Sequence, residues 1–198
     1  MKKIFRSKKR FAALGVAAAL LGGAGAAYAT TGGPHVIGVS ASYDLFPTAA
    51  PVQTFCVADN GDAFATISDS WRGTQTDHST PARPSLNGTL IVHATTNADL
   101  TTGRGVTHGT SKLINGSGAI VYVGPFTQNL QVIDQHLDSV ARGAVNYPLY
   151  SNGSPTGGSL VGNEEVSING QTFEITGSFG GPSGGTPDLS AFYNNMHC

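Results

Sequence analysis

The sequence predicts an all-β fold, namely an antiparallel β-barrel or β-sandwich built from hairpins. The dipeptide Asn-Gly, the preferred pair for a two-residue hairpin turn, occurs five times in 198 residues. Most of these pairs separate runs rich in Val, Ile, Thr and Phe, which strands favour. The pairs begin at Asn60, Asn87, Asn115, Asn152 and Asn169. About six to ten strands joined mainly to their neighbours favour an up-and-down, calycin-like barrel.

Residues 1–29 predict a secretory signal peptide of bacterial type. Six Lys and Arg residues precede an apolar run over 11–26, and Ala27-Tyr28-Ala29 fits the small-x-small cleavage pattern. Cleavage near Ala29-Thr30 predicts a secreted, extracellular or cell-envelope protein with no membrane span in the mature chain. The mature 169 residues keep 5 basic and 12 acidic side chains, a net charge of −7. That balance argues against binding to nucleic acid.

The mature chain predicts one domain with two extensions. Residues 30–52 form an N-terminal extended segment, 53–180 the barrel or sandwich, and 181–198 a Gly- and Pro-rich joint with a C-terminal tail or short helix. Cys56 and Cys198 are the only cysteines. In an oxidising compartment they are expected to form a disulfide that ties the tail to the first clear strand.

The strands are placed by apolar alternation and turn residues. The first hairpin joins 54–58 to 63–68, and a two-residue turn at Asn60-Gly61 would set Cys56 opposite Ala65. Further strands cover 86–96, 105–114 and 119–123. Residues 130–145 fit both helical spacing and alternation, so strand and helix stay open there, with the neighbouring pattern favouring strand. Residues 152–158 predict a loop. A two-residue turn at Asn169-Gly170 sets Val166 opposite Phe173 in the last hairpin, with Ile168 and Ile175 on the same, packed face.

Two histidines are candidates for acid/base chemistry. If strands 89–95 and 106–112 pair symmetrically about their connection, His93 lies opposite His108. Cross-strand partners are close enough to share a proton or a metal. The alternative is two polar histidines that bond to neighbours or water. Since no third and fourth ligands can be named, neither a metal site nor a cofactor is predicted.

A second candidate is the alternating triplet Asp134, His136 and Asp138. A strand would place all three side chains on one face, where a carboxylate beside a histidine raises its basicity. The alternative is a solvated outer face, because no nucleophile is placed beside the triplet.

Aromatic residues supply candidates for ligand binding. Trp71, Tyr122, Phe126 and Tyr147 lie in or near predicted strands, where they would line an apolar pocket or form ordinary core. The motifs of the common enzyme classes are absent from the sequence: there is no nucleophile elbow, zinc-protease helix, phosphate loop or dinucleotide fingerprint.

Three functions fit these observations. The first is a secreted, non-enzymatic barrel that binds a small apolar ligand or an extracellular partner. The second is a secreted barrel enzyme, an isomerase/cyclase or hydrolase, with histidine as acid/base. The third is a structural envelope protein. An aromatic-lined cavity favours binding, convergence of histidines and a carboxylate in a pocket favours catalysis, and a barrel filled by its own side chains favours the structural role.

Overall fold

The computed structural model describes residues 36–134 and 136–180, and it confirms the all-β class. The strands are β1 (Val36–Gly38), β2 (Ala41–Pro47), β3 (Val52–Val57), β4 (Ala63–Asp77), β5 (Gly88–Asp99), β6 (Arg104–Asn115), β7 (Ile120–Val132), β8 (Ser139–Ser151), β9 (Ser154–Ile168) and β10 (Ile175–Phe179). The helical content of these ranges is a 3-10 turn, Pro84–Leu86. A helix long and apolar enough to span a bilayer is not found within them.

Eight strands close into an antiparallel barrel. Pairing runs β9–β10–β2–β4–β5–β6–β7–β8, and β8 pairs back with β9. β1 adds to β9 in parallel, and β3 pairs with β4 beyond the end of β2. The barrel therefore starts at Ala41, earlier than the predicted domain start at residue 53. β2 was not predicted because the apolar pattern of this segment is weak, although the side chains of Ala41, Tyr43 and Leu45 are buried in alternation along it.

Period-two alternation decides which side chains enter the barrel. In β8 the side chains of Ala141, Val145 and Tyr147 are buried, while those of Arg142 and Asn146 between them are exposed. The ambiguous residues 130–145 are thus the end of β7, a turn over 133–138 and the start of β8. Strand, rather than helix, is the structure on both sides of that turn.

One end of the barrel is filled by its own side chains. The rings of Tyr122 and Tyr147 stack at 4.9 Å with an interplanar angle of 5°. The hydroxyl of Tyr122 donates to Gln75 Oε1 at 2.7 Å, and Gln75 Nε2 donates to the carbonyl of Leu86 at 3.0 Å. Leu86, on the 3-10 turn, is also buried and helps to close this end. Open space lies on the other side of the tyrosine stack.

The tightest hairpin turn lies where the sequence predicts a loop. Ser151 pairs with Ser154, and Asn152 and Gly153 between them have φ of 50° and 78°. These values match a type I′ turn, whose twist suits antiparallel strands. Pro155 and the glycines that follow obscured this turn, because such residues are uncommon inside strands.

Gly153→Ala is expected to lower the free energy of unfolding by about 1 kcal/mol, since an L-residue resists positive φ. Urea unfolding checks this. Gly116→Ala is the matched control: a Cβ there meets nothing within 4 Å and its φ is not positive. Equal losses in both variants would contradict the assignment.

The registers of the first and last hairpins differ from those predicted. Cys56 pairs with Phe64, one residue away from the register that a two-residue turn at Asn60-Gly61 would give. Ile168 pairs with Ile175, so a six-residue loop separates β9 from β10. In that loop Asn169 Oδ1 accepts hydrogen bonds from the amides of Gln171 and Thr172, which lengthens the turn.

Several predictions lie outside the described residues. These are the signal peptide over 1–29, the joint and tail over 181–198 with its short helix, and the position of Cys198. The disulfide therefore stays a prediction. Its other member, Cys56, lies on β3, where the neighbouring Phe55 and Val57 are exposed apolar side chains.

Candidate functional site

The barrel encloses a cavity of about 70 Å³. Its wall is formed mainly by apolar side chains from the inward faces of the barrel strands. Examples are Leu45 of β2, Trp71 of β4, Val92 of β5 and Leu130 of β7. A water-sized position takes about 10–15 Å³, so the space holds about five to seven such positions. That volume suits a small molecule.

A single carboxyl group lies at the inner end of this cavity. Glu164 of β9 is 4% exposed and is hydrogen-bonded by side chains that reach it across the barrel interior from other strands. The hydroxyl of Tyr43 donates to its Oε1 at 2.5 Å, and Gln128 Nε2 donates to its Oε2 at 2.6 Å. The hydroxyl of Tyr147 makes longer contacts, 3.5 Å to Oε2 and 3.3 Å to Ser111 Oγ. The cavity thus has mainly apolar walls, with a few hydroxyl side chains such as Thr107 and Ser139, and a polar floor formed by Glu164 and its hydrogen-bond partners.

Burial raises the proton affinity of the Glu164 carboxylate. Loss of solvent raises the pKa of Glu164 from 4.5 to about 7, against the hydrogen bonds from Tyr43, Tyr147 and Gln128, which lower it. The pKa values of Tyr43 and Tyr147 are raised well above 10, first by burial and then by the charge of Glu164. Glu164 is therefore the group in this cluster that changes charge near neutral pH.

Two loops form the rim at the opposite end of the cavity, the β7–β8 turn over 133–138 and the β9–β10 loop over 169–174. The amide of Gly170 donates to Asp138 Oδ1 at 2.8 Å, and a Cβ on Gly170 would lie 2.0 Å from the carbonyl oxygen of His136. Leu137 and Phe173 line the cavity with φ of 66° and 58°, which bulky residues rarely adopt. Hydrogen bonding and close backbone packing between the two loops therefore hold the rim together.

The aromatic candidates divide between the cavity and the filled end. Trp71 and Phe126 line the cavity, and Trp71 Nε1 donates to the carbonyl of Phe173 at 2.7 Å. Tyr122 and Tyr147 form the stack beneath the floor and do not line the space itself. The ligand-binding role predicted for all four remains a prediction.

The predicted pairing of His93 with His108 is wrong. His93 pairs with Thr110, and His108 pairs with Thr95, so the two histidines are diagonal neighbours. The turn after β5 shifts the register, because Asp99 Oδ1 accepts hydrogen bonds from the amides of Thr101 and Thr102.

Both histidines face away from the cavity. They are exposed on the outer surface of the barrel, where His93 Nδ1 lies 2.6 Å from Ser70 Oγ. They border an open outer groove together with Asp69. Over the described residues, no three His, Cys, Asp or Glu side chains are arranged to hold a metal ion.

Asp134, His136 and Asp138 do not share a strand face, because they belong to the turn over 133–138. Asp134 Oδ1 accepts the amides of His136 at 2.8 Å and Asp138 at 3.3 Å, which closes the turn. His136 Nδ1 lies 3.6 Å from Asp134 Oδ2 at the surface. Their hydrogen bonds stabilise the rim of the barrel.

The polar floor was missed from the sequence, although alternation carried a signal for it. Val166 and Ile168 were placed on the packed face of the last hairpin, and a period of two puts Glu164 on that same face. Gln128 is likewise in phase with the inward Phe126 and Leu130. Polar residues in phase with a buried face indicate a hydrogen-bonded interior group or a site.

The fold and cavity define the class of protein as a closed, antiparallel eight-stranded barrel of calycin-like architecture with an interior pocket. Comparison with protein-family models, with curated proteins and with solved structures gives no match. The functional argument therefore depends on the site itself.

Proposed function

We propose that this protein binds a small, mainly apolar ligand inside its barrel, without chemical conversion, and that it acts as an exported protein after cleavage near Ala29-Thr30. The observation that supports binding is the cavity, with mainly apolar walls and a single carboxyl group, Glu164, at its floor. Small-molecule sites have this composition: apolar lining for affinity and few polar groups for orientation. The basic and apolar segments of residues 1–29 support export.

The outer position of the histidines supports binding over histidine-based catalysis. His93 and His108 are on the outer face, and the cavity lining contains no histidine among the described residues. An unfilled interior likewise favours a ligand over a purely structural role, because a barrel that only supports a surface fills its core.

The binding test uses 1-hexanol, whose seven heavy atoms are close in number to the water-sized positions that the cavity holds. Burying its chain is expected to yield about −5 kcal/mol, a dissociation constant on the order of 0.1–1 mM. Trp71 is the only tryptophan of the chain and lines the cavity, so its fluorescence reports occupancy. Isothermal titration calorimetry gives the affinity independently.

A variant whose side chain fills the cavity is compared with a variant of the outer face. Ala94 lines the space, so Ala94→Leu is expected to weaken 1-hexanol at least tenfold. His93→Leu adds an apolar side chain on the outer face one residue away and should leave the affinity unchanged. Absence of binding to the wild-type protein, or equal binding to both variants, would overturn the proposal.

A further inference from the structure

We propose that the cavity selects a ligand with a cationic amine, whose ammonium group pairs with the Glu164 carboxylate while its alkyl chain lies along the apolar wall. This inference rests on the proposed binding function and specifies the ligand class. It follows from how the hydrogen-bond donors around Glu164 are used, from the missing counter-charge and from the shape of the space.

The donors at the floor are already directed at Glu164. Tyr43 donates to Oε1, Gln128 donates to Oε2, and the longer contact from Tyr147 also reaches Oε2. A carboxylate offers about four acceptor positions, so these three contacts leave acceptor capacity on a carboxylate that lines the cavity. The floor consequently presents acceptors to a ligand, and an ammonium group with three donors fits it.

No basic side chain in the described part of the chain forms an ion pair with Glu164. The only ion pair of a glutamate there joins Arg142 Nε to Glu165 Oε2 at 2.8 Å, on the outer face. The groups that face Glu164 are Tyr43 from β2, Tyr122 and Gln128 from β7, and Tyr147 from β8. All are neutral near pH 7, and a buried carboxylate without a cation is costly. A cationic ligand supplies the missing charge.

The distance along the barrel sets the length of the chain. Glu164 and Ile168, both cavity-lining residues of β9, are four residues apart, which is about 13 Å along a strand. A hexyl chain extends from the floor toward the rim within that length. The cavity volume then limits the ligand to a linear or lightly branched amine.

The test compares n-hexylamine, 1-hexanol and hexanoate on the full exported chain, by Trp71 fluorescence and calorimetry. An alkyl amine stays protonated at neutral pH, as lysine does. At about pH 8 hexylamine is expected to bind at least tenfold more tightly than 1-hexanol, and hexanoate more weakly than either. Because the pKa of Glu164 is about 7, the amine's advantage should shrink by up to tenfold per pH unit below 7.

Two variants isolate the carboxylate. Glu164→Gln is expected to remove the advantage of hexylamine over 1-hexanol, bringing its affinity to or below that of the alcohol, and to remove the pH dependence of that advantage. Glu165→Gln, one residue away on the outer face, should change neither. If Glu164→Gln does not fold, the pH series and the hexanoate comparison on the wild-type protein decide the question.

The outcomes separate the two proposals. Equal affinity for hexylamine and 1-hexanol at about pH 8, or tighter binding of hexanoate, overturns the amine assignment and leaves a binding cavity. Failure of all three probes to bind overturns both the amine assignment and the proposed function.

Discussion

Glu164→Gln is expected to abolish a pH-dependent loss of about 3 kcal/mol in the free energy of unfolding of the wild-type protein. In the folded protein burial raises the pKa of Glu164 from 4.5 to about 7, whereas in the unfolded chain the group is solvated. Each pKa unit corresponds to 1.36 kcal/mol, so the difference is worth about 3 kcal/mol.

The direction of this effect follows from the raised pKa. Between about pH 4.5 and 7 the folded protein holds a proton on Glu164 that the unfolded chain has lost. The stabilisation is fully present below about pH 4.5 and is lost as the pH rises through 7. A glutamine does not titrate, so the variant should lack this component.

Urea unfolding at several pH values between about 4.5 and 8.5 measures the effect as the difference between wild type and variant. Glu165→Gln is the control, because Glu165 is partly exposed and paired with Arg142 on the outer face. A difference between wild type and Glu164→Gln that stays constant with pH would show that Glu164 keeps an ordinary pKa in the folded state.

Alternation predicted the fold class because it is a local property of each strand. The inward phase of Val166 and Ile168 is correct, and the barrel follows from strands that are neighbours in both sequence and space. The same alternation places Trp71 and Phe126 inside. Knowing which side of a strand faces the interior requires only the residues of that strand.

Register was not predictable in the same way, because it depends on side chains that bond within the turns. Asn169 closes a six-residue loop where a two-residue turn was expected, and Asp99 caps a turn that moves His93 away from His108. The polar floor could not be predicted from any single strand. Tyr43, Gln128 and Glu164 come from β2, β7 and β9, and only the closed ring brings them together.

Gly177→Ala is expected to lower the free energy of unfolding by about 3–5 kcal/mol. The ring of Tyr43 crosses Gly177 of β10 on its way to Glu164, and a Cβ there would lie 2.2 Å from Tyr43 Cζ. Relieving that overlap costs about 1–3 kcal/mol. Displacing the ring also breaks its hydrogen bond to Glu164, which is worth about 1.5–3 kcal/mol for a charged acceptor.

The comparison that isolates the ring is Gly162→Ala. Gly162 lies in β9, where a Cβ meets nothing within 4 Å, so alanine should be neutral or stabilise by about 0.5 kcal/mol. Urea unfolding at about pH 8, where Glu164 is a charged carboxylate, gives both values. The pH dependence of stability is a second readout. The hydrogen bond from Tyr43 lowers the pKa of Glu164, so its loss in Gly177→Ala should raise that pKa. The stability of the variant should therefore fall at a higher pH than that of the wild type. If Gly177→Ala matches Gly162→Ala in both readouts, Tyr43 does not hold Glu164 as described, and the polar floor would need another support.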